Sequence, residues 1–203
     1  MIDLNKLRNF DILLMTGDDI LSMAIRSFEI EAEETREGHS LKGIIDGLKM
    51  SKDRNIPIHS RMVYSSVMKT GCEMTWPHAR ICDLTKDNAE IVQVCRCPYL
   101  SDPIVNEDMN KWWNAFIAGK ETYGIDNLLT FPTGIPVDER HLVCSQATTQ
   151  ALITVLDDNK IDPRMIFPNY WIDKNKLLVE KVSPYDQFLQ FTLMNWNITK
   201  EIS

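Results

Sequence analysis

The chain has 203 residues, a formal net charge of −7, and 44% hydrophobic and 25% charged residues. That is about the length of one domain, enough to bury a core without disulfide support, and an ordinary composition with five tryptophans excludes a disordered chain. The acidic balance gives no basic footprint for a phosphate backbone, so nucleic acid is not an expected partner, and no apolar run approaches the roughly 20 residues that cross a bilayer.

Residues 1–11 lack the basic stretch and apolar run of a secretory signal, and five unevenly spaced cysteines point to free thiols in a reducing compartment, so a cytoplasmic protein is expected. Phe10 to Thr16 reads as a buried strand ended by Gly17-Asp18-Asp19, and Ile20, Met23, Ala24 and Phe28 predict a helix with Asp19 as its N-cap. Residues 29–55 change character, from an acidic run to a polar stretch, and read as an insertion into a single domain spanning 1–203. Within it, Leu41, Ile44, Ile45 and Leu48 suit a short amphipathic helix.

Residues 58–67 are strand-like, with His59 near the start, and 72–75 form a second strand after a break at Thr70-Gly71. Residues 80–84 and 89–97 supply two more strands, which makes the middle of the chain an antiparallel meander. The chain is loop-like from Pro98 to Pro103, and 106–118 predicts a helix with Trp112, Trp113 and Phe116 as packing residues. Two adjacent tryptophans cannot both face inward, so one is expected to be partly exposed.

A Pro- and Gly-containing loop at 131–136 delivers the chain to residues 141–156, a predicted helix on the spacing of Ala147, Ala151, Leu152 and Leu156. Cys144 opens this helix. Unpaired N–H groups and the positive end of the helix dipole favour a thiolate at such a position. A nucleophilic cysteine also needs a base and a group to orient that base, which meet it in space rather than in sequence. Beyond the helix, two prolines interrupt 161–171, residues 177–182 predict a last strand, and a short tail follows. Cys95 and Cys97, with Cys72, Cys82 and His78 upstream, are candidate metal ligands by residue type. Structural zinc sites space their cysteine pairs by two to four residues, and a strand places Cys95 and Cys97 on one buried face, so no metal is expected.

Three stretches in this order, Phe-Asp-Ile-Leu-Leu-Met-Thr-Gly-Asp at 10–18, Ile-His-Ser-Arg-Met-Val-Tyr at 58–64 and Leu-Val-Cys-Ser-Gln-Ala-Thr-Thr-Gln-Ala-Leu at 142–152, together resemble the circularly permuted NlpC/P60 cysteine hydrolases, in particular their YiiX/YebB-like branch. Looser matches are Gly119 to Tyr123 and Phe167-Pro168. Phe10 replaces the family's usual Gly, Gln146 stands where Glu is common, and Ile58 rather than Ser precedes His59.

The resemblance implies an α+β, permuted papain-like fold, with an antiparallel sheet packed against a helix that carries the cysteine at its N-terminus. It implies Cys144 as nucleophile, His59 as base and then acid, and Glu73, on the strand after His59, as the group that orients the imidazole. His78 or Asp83 could take that third role, while His39 and His141 are background. The expected activity is that of a thiol hydrolase cleaving a peptide or peptidoglycan-type amide through an acyl-enzyme, with no cofactor. Two alternatives stay open. One is a lipid acyl hydrolase or transferase, and the other is a non-catalytic binding or structural protein, such as a virion component, that uses the 29–55 insertion or the Trp112/Trp113 helix as a protein-binding surface.

Overall fold

A computed structural model describes residues 1–16, 57–75, 77–86, 88–120, 143–165, 171–172, 176–177 and 182–203. The predicted helix at 20–28, the 29–55 insertion, the 131–136 loop, His39, Tyr123, His141, Phe167 and Pro168 lie outside these residues. The architecture is α+β. Strands β1 (Ile12–Met15), β2 (His59–Ser65), β3 (Thr70–Met74), β4 (Ala79–Asp83) and β5 (Ile91–Cys95) form a sheet in the order β4-β3-β2-β1-β5, antiparallel at every pairing.

β1 is an unbroken apolar run because both of its faces are covered. Ile12 and Leu14 join a core with Met62, Cys72 and Met74 and with three helices, whereas Leu13 and Met15 join Val63, Val94, Ile2, Leu7 and Ile202 on the other side. The strand starts at Ile12 rather than Phe10 because Phe10 is left-handed, with φ 64°. A bulky residue there costs about 1–2 kcal/mol, and glycine is the residue that avoids the cost. Burial of the Phe10 ring, 1% exposed, offsets it. The turn between β2 and β3 lies at 66–69, not at Thr70-Gly71. The Met68 N–H donates to Ser65 Oγ and Lys69 is left-handed, which leaves Thr70 and Gly71 in the ladder.

α1 (Pro103–Gly119) starts three residues before the predicted helix at 106–118. Asp102 caps it, its carboxylate accepting the Ile104 N–H at 2.8 Å, and Pro103 fits the first turn, where no N–H is needed. Val105, Met109 and Trp113 recur every four residues and face the core. Trp112 is only partly buried and stacks on Phe116 at 4.7 Å.

α2 (Cys144–Asp158) is the central helix. Its first six residues are all buried, and the small Ala147 and Ala151 share a core with Met62 and Cys72 and leave little bulk between helix and sheet.

Strands β6 (Trp171–Ile172) and β7 (Lys176–Leu177) pair as a separate ribbon, and most of the predicted strand at 177–182 is outside the described residues. The expected short tail is instead helical, as α3 (Pro184–Leu193) and α4 (Thr199–Ile202). The signal for α3 is present in the sequence: Ser183 caps the Asp186 N–H, Asp186 caps back onto the Ser183 N–H, and Pro184 occupies the first turn. Between these helices the chain runs along the outer edge of β5, where the Arg96 N–H donates to the Trp196 carbonyl and the Ile198 N–H to the Val94 carbonyl. That edge is therefore covered. Among the described residues no helix is long and apolar enough to cross a membrane.

Candidate active site

Alternation along β2 sets out the site. Met62 belongs to the helix side of the sheet, so Arg61 and Val63 face the other side, and His59, directly across from Met15, shares that side. Met62 pairs with Cys72, and one step along the antiparallel ladder Arg61 lies opposite Glu73, which in turn lies opposite Arg80 on β4. Arg61, Glu73 and Arg80 thus form one row across three strands, with His59 on its diagonal.

The contacts follow this layout. His59 Nε2 and Glu73 Oε2 are 2.7 Å apart, Arg61 Nε donates to the same oxygen at 2.8 Å, and Arg80 Nε donates to Glu73 Oε1 at 2.9 Å. Arg61 Nη2 also lies 2.7 Å from Oε2. Glu73 is 1% exposed, whereas the His59 side chain retains 24% exposure.

Cys144 meets the imidazole at the end of the sheet. Its sulfur lies 4.0 Å from the carbonyl oxygen of Ile58, the residue just ahead of β2, near enough to the His59 ring to act on its protonation. With Nε2 engaged by Glu73, Nδ1 is the nitrogen left for the thiol. Cys144 itself is 2% exposed.

The α2 N-terminus is held from two directions. Gln146 Oε1 accepts the Val143 N–H at 2.9 Å, the back-bond that Glu makes in a capping box, here without a negative charge beside the sulfur. From α3, Gln187 Nε2 donates to the Ser145 carbonyl at 3.0 Å and to Thr149 Oγ1 at 2.9 Å, which anchors the residue after the cysteine. The first helical bond runs from the Ala147 N–H to the Val143 carbonyl, so the Cys144 N–H precedes the ladder.

The charges are strongly coupled. Burial opposes a proton on His59, but the Cys144 sulfur and the Glu73 carboxylate outweigh it and raise the imidazole from 6.5 to about 9. Burial likewise opposes charge on Glu73. Its bond to His59 and the His59, Arg61 and Arg80 cations win, and hold the carboxyl far below the ordinary range. Burial pushes the Cys72 and Cys95 thiols up strongly, Cys82 to about 11 and Cys97 to about 12.

Cys144, His59 and Glu73, far apart in sequence, are therefore brought together. His78 and Asp83 are exposed, and the Asp83 carboxylate accepts from Thr85 N–H and Oγ1 rather than from the imidazole. Arg61, Arg80 and Gln187 were not anticipated. The alternation of β2 and β3 could have flagged the two arginines, but Gln187 carries no sequence signal. Among the described residues no group of three or more His, Cys, Asp or Glu side chains could hold a metal ion. No protein family, curated protein or solved structure matches the chain.

Proposed function

We propose that this protein is a cysteine hydrolase with a permuted papain-like (NlpC/P60) fold, cleaving an amide bond through an acyl-enzyme on Cys144. The observation that supports it is the convergence of Cys144, His59 and Glu73 from α2, β2 and β3, with the imidazole 2.7 Å from Glu73 and its proton favoured by both the Cys144 sulfur and the carboxylate. His59 Nδ1 holds the proton taken from the thiol, the sulfur attacks the substrate carbonyl carbon, and the carbonyl π electrons move to oxygen, near the Cys144 N–H. As the oxyanion collapses, the imidazolium gives its proton to the departing amine and the C–N bond breaks, leaving a thioester. Water then delivers a proton to His59 and attacks the thioester, the C–S bond breaks, and the acid is released. Peptide or peptidoglycan-type amides are the proposed substrates, with lipid esters served by the same steps.

The test is iodoacetamide alkylation of all five cysteines at neutral pH, resolved by mass spectrometry, in the native protein and in His59→Ala. Cys144 should react fastest, and His59→Ala should remove that advantage. A Cys144 that reacts at the same rate with and without His59 overturns the hydrolase. The near-complete burial of Cys144 favours a second reading, a non-catalytic binding or structural protein on the same scaffold. That reading predicts an inert Cys144 in both proteins.

A further inference from the structure

The Glu73 carboxylate meets three cationic side chains, more than alignment of one imidazole requires. Oε2 takes His59 and two Arg61 nitrogens, and Oε1 takes Arg80, so the carboxylate cannot rotate without breaking charge-assisted bonds on both oxygens. Arg61 also has a bed of its own. A Cβ on Gly71 would lie 2.8 Å from Arg61 Cδ, 3.1 Å from Arg61 Cγ and 2.8 Å from Leu84 Cδ2, so the guanidinium stem and Leu84 together occupy the space that a side chain at 71 would fill. Arg61 is buried, whereas the Arg80 side chain is 60% exposed.

The charge count explains what such a clamp could do. A buried, unshielded carboxylate against an imidazole stabilises the imidazolium, and a base that binds its proton too tightly is slow to pass it to a leaving group. Two guanidiniums on the same carboxylate offset its field while fixing its direction. Among the described residues, the groups that act on the imidazole are Glu73 from β3 and Cys144 from α2, and the carboxylate is faced in turn by Arg61 from β2 and by Arg80 and Cys82 from β4. Cys82, raised to about 11, stays neutral while His59 titrates.

We propose that Arg61 and Arg80 are positioning residues that lock the Glu73 carboxylate and partly neutralise it, so that Glu73 orients His59 without over-stabilising its proton. This rests on the reading of Cys144 and His59 as a hydrolytic pair.

NMR titration of the His59 ring in Cys144→Ala, alone and combined with Arg80→Gln or Arg80→Lys, tests it without the thiol. Loss of the Arg80 cation should raise the His59 midpoint by roughly 0.3–0.5 pH unit at low salt, the size expected of an exposed partner, and Arg80→Lys should restore it. Gly71→Ala, which displaces the Arg61 stem, should move the midpoint in the same direction. Equal midpoints for Arg80→Gln and its parent overturn the clamp, whether or not Gly71→Ala folds. Failure of the hydrolase reading is registered separately: Cys144 alkylation that does not depend on His59 rejects that reading, while the His59 midpoint still decides on the clamp.

Discussion

Among the described residues two carboxylates are buried beside this sheet, Asp11 just ahead of β1 and Glu73 on β3, and each is bound to arginine. Asp11 is closed on itself. Arg96 Nε and Nη2 take one oxygen each, at 2.8 and 2.7 Å, and the Arg8 N–H donates to Oδ2. The pair ties the N-terminal segment to the end of β5, and none of its bonds reaches an imidazole or a thiol. Glu73 has comparable arginine contacts, but one oxygen is shared with His59, whose ring continues to Cys144. Burial and ion pairing are common to both sites. What separates a structural tie from a candidate site is whether the network ends in a group that can exchange a proton with something outside it.

The largest expected contrast is in activity. Cys144→Ala should reduce hydrolysis of an activated amide or ester by about 10³-fold or more, whereas Asp11→Asn, measured at equal folded fraction, should leave kcat/KM within about twofold.

Stability comes next. Glu73→Gln leaves the Arg61 guanidinium buried beside a neutral amide and should cost about 3–5 kcal/mol in urea unfolding. Asp11→Asn should cost less, about 1–2 kcal/mol, because Arg96 can turn its partly exposed head to water. Equal losses at the two positions would remove the distinction between them.

A pH series sharpens the comparison further. His59 is raised in the folded state from 6.5 to about 9, so its stabilising contribution is fully present below pH 6.5 and is lost as pH rises through 9. Native stability should fall by on the order of 1–3 kcal/mol across that window, and His59→Gln should flatten the fall while Asp11→Asn leaves it in place.

The smallest effect belongs to a control at the far end of α2. Lys160 is left-handed, with φ 62°, and exposed. Lys160→Gly should raise stability by about 0.5–1 kcal/mol with no change in Cys144 alkylation.

The sequence by itself carried every feature written in local periodicity or capping chemistry. The unbroken apolar run of β1, the strands around His59 and Glu73, the four-residue recurrence in α1 and the small and large apolar spacing of α2 are all local patterns, and each emerged as the expected element type. The boundaries moved where one residue's backbone conformation decided them, as at the left-handed Phe10 and Lys69. The helix α3 has a local start signal in Ser183, Pro184 and Asp186, but a helix this short is stable only through tertiary contacts such as Gln187 against Ser145, which no local pattern states.

The tertiary structure alone decided the site's electrostatics. No local pattern states that Arg61 and Arg80 flank Glu73, since that depends on the register of three strands, or that Cys144 reaches the His59 ring, since that depends on how α2 docks at the end of the sheet. Register and docking are set by burial summed over the whole core, so they exist only once the chain has folded.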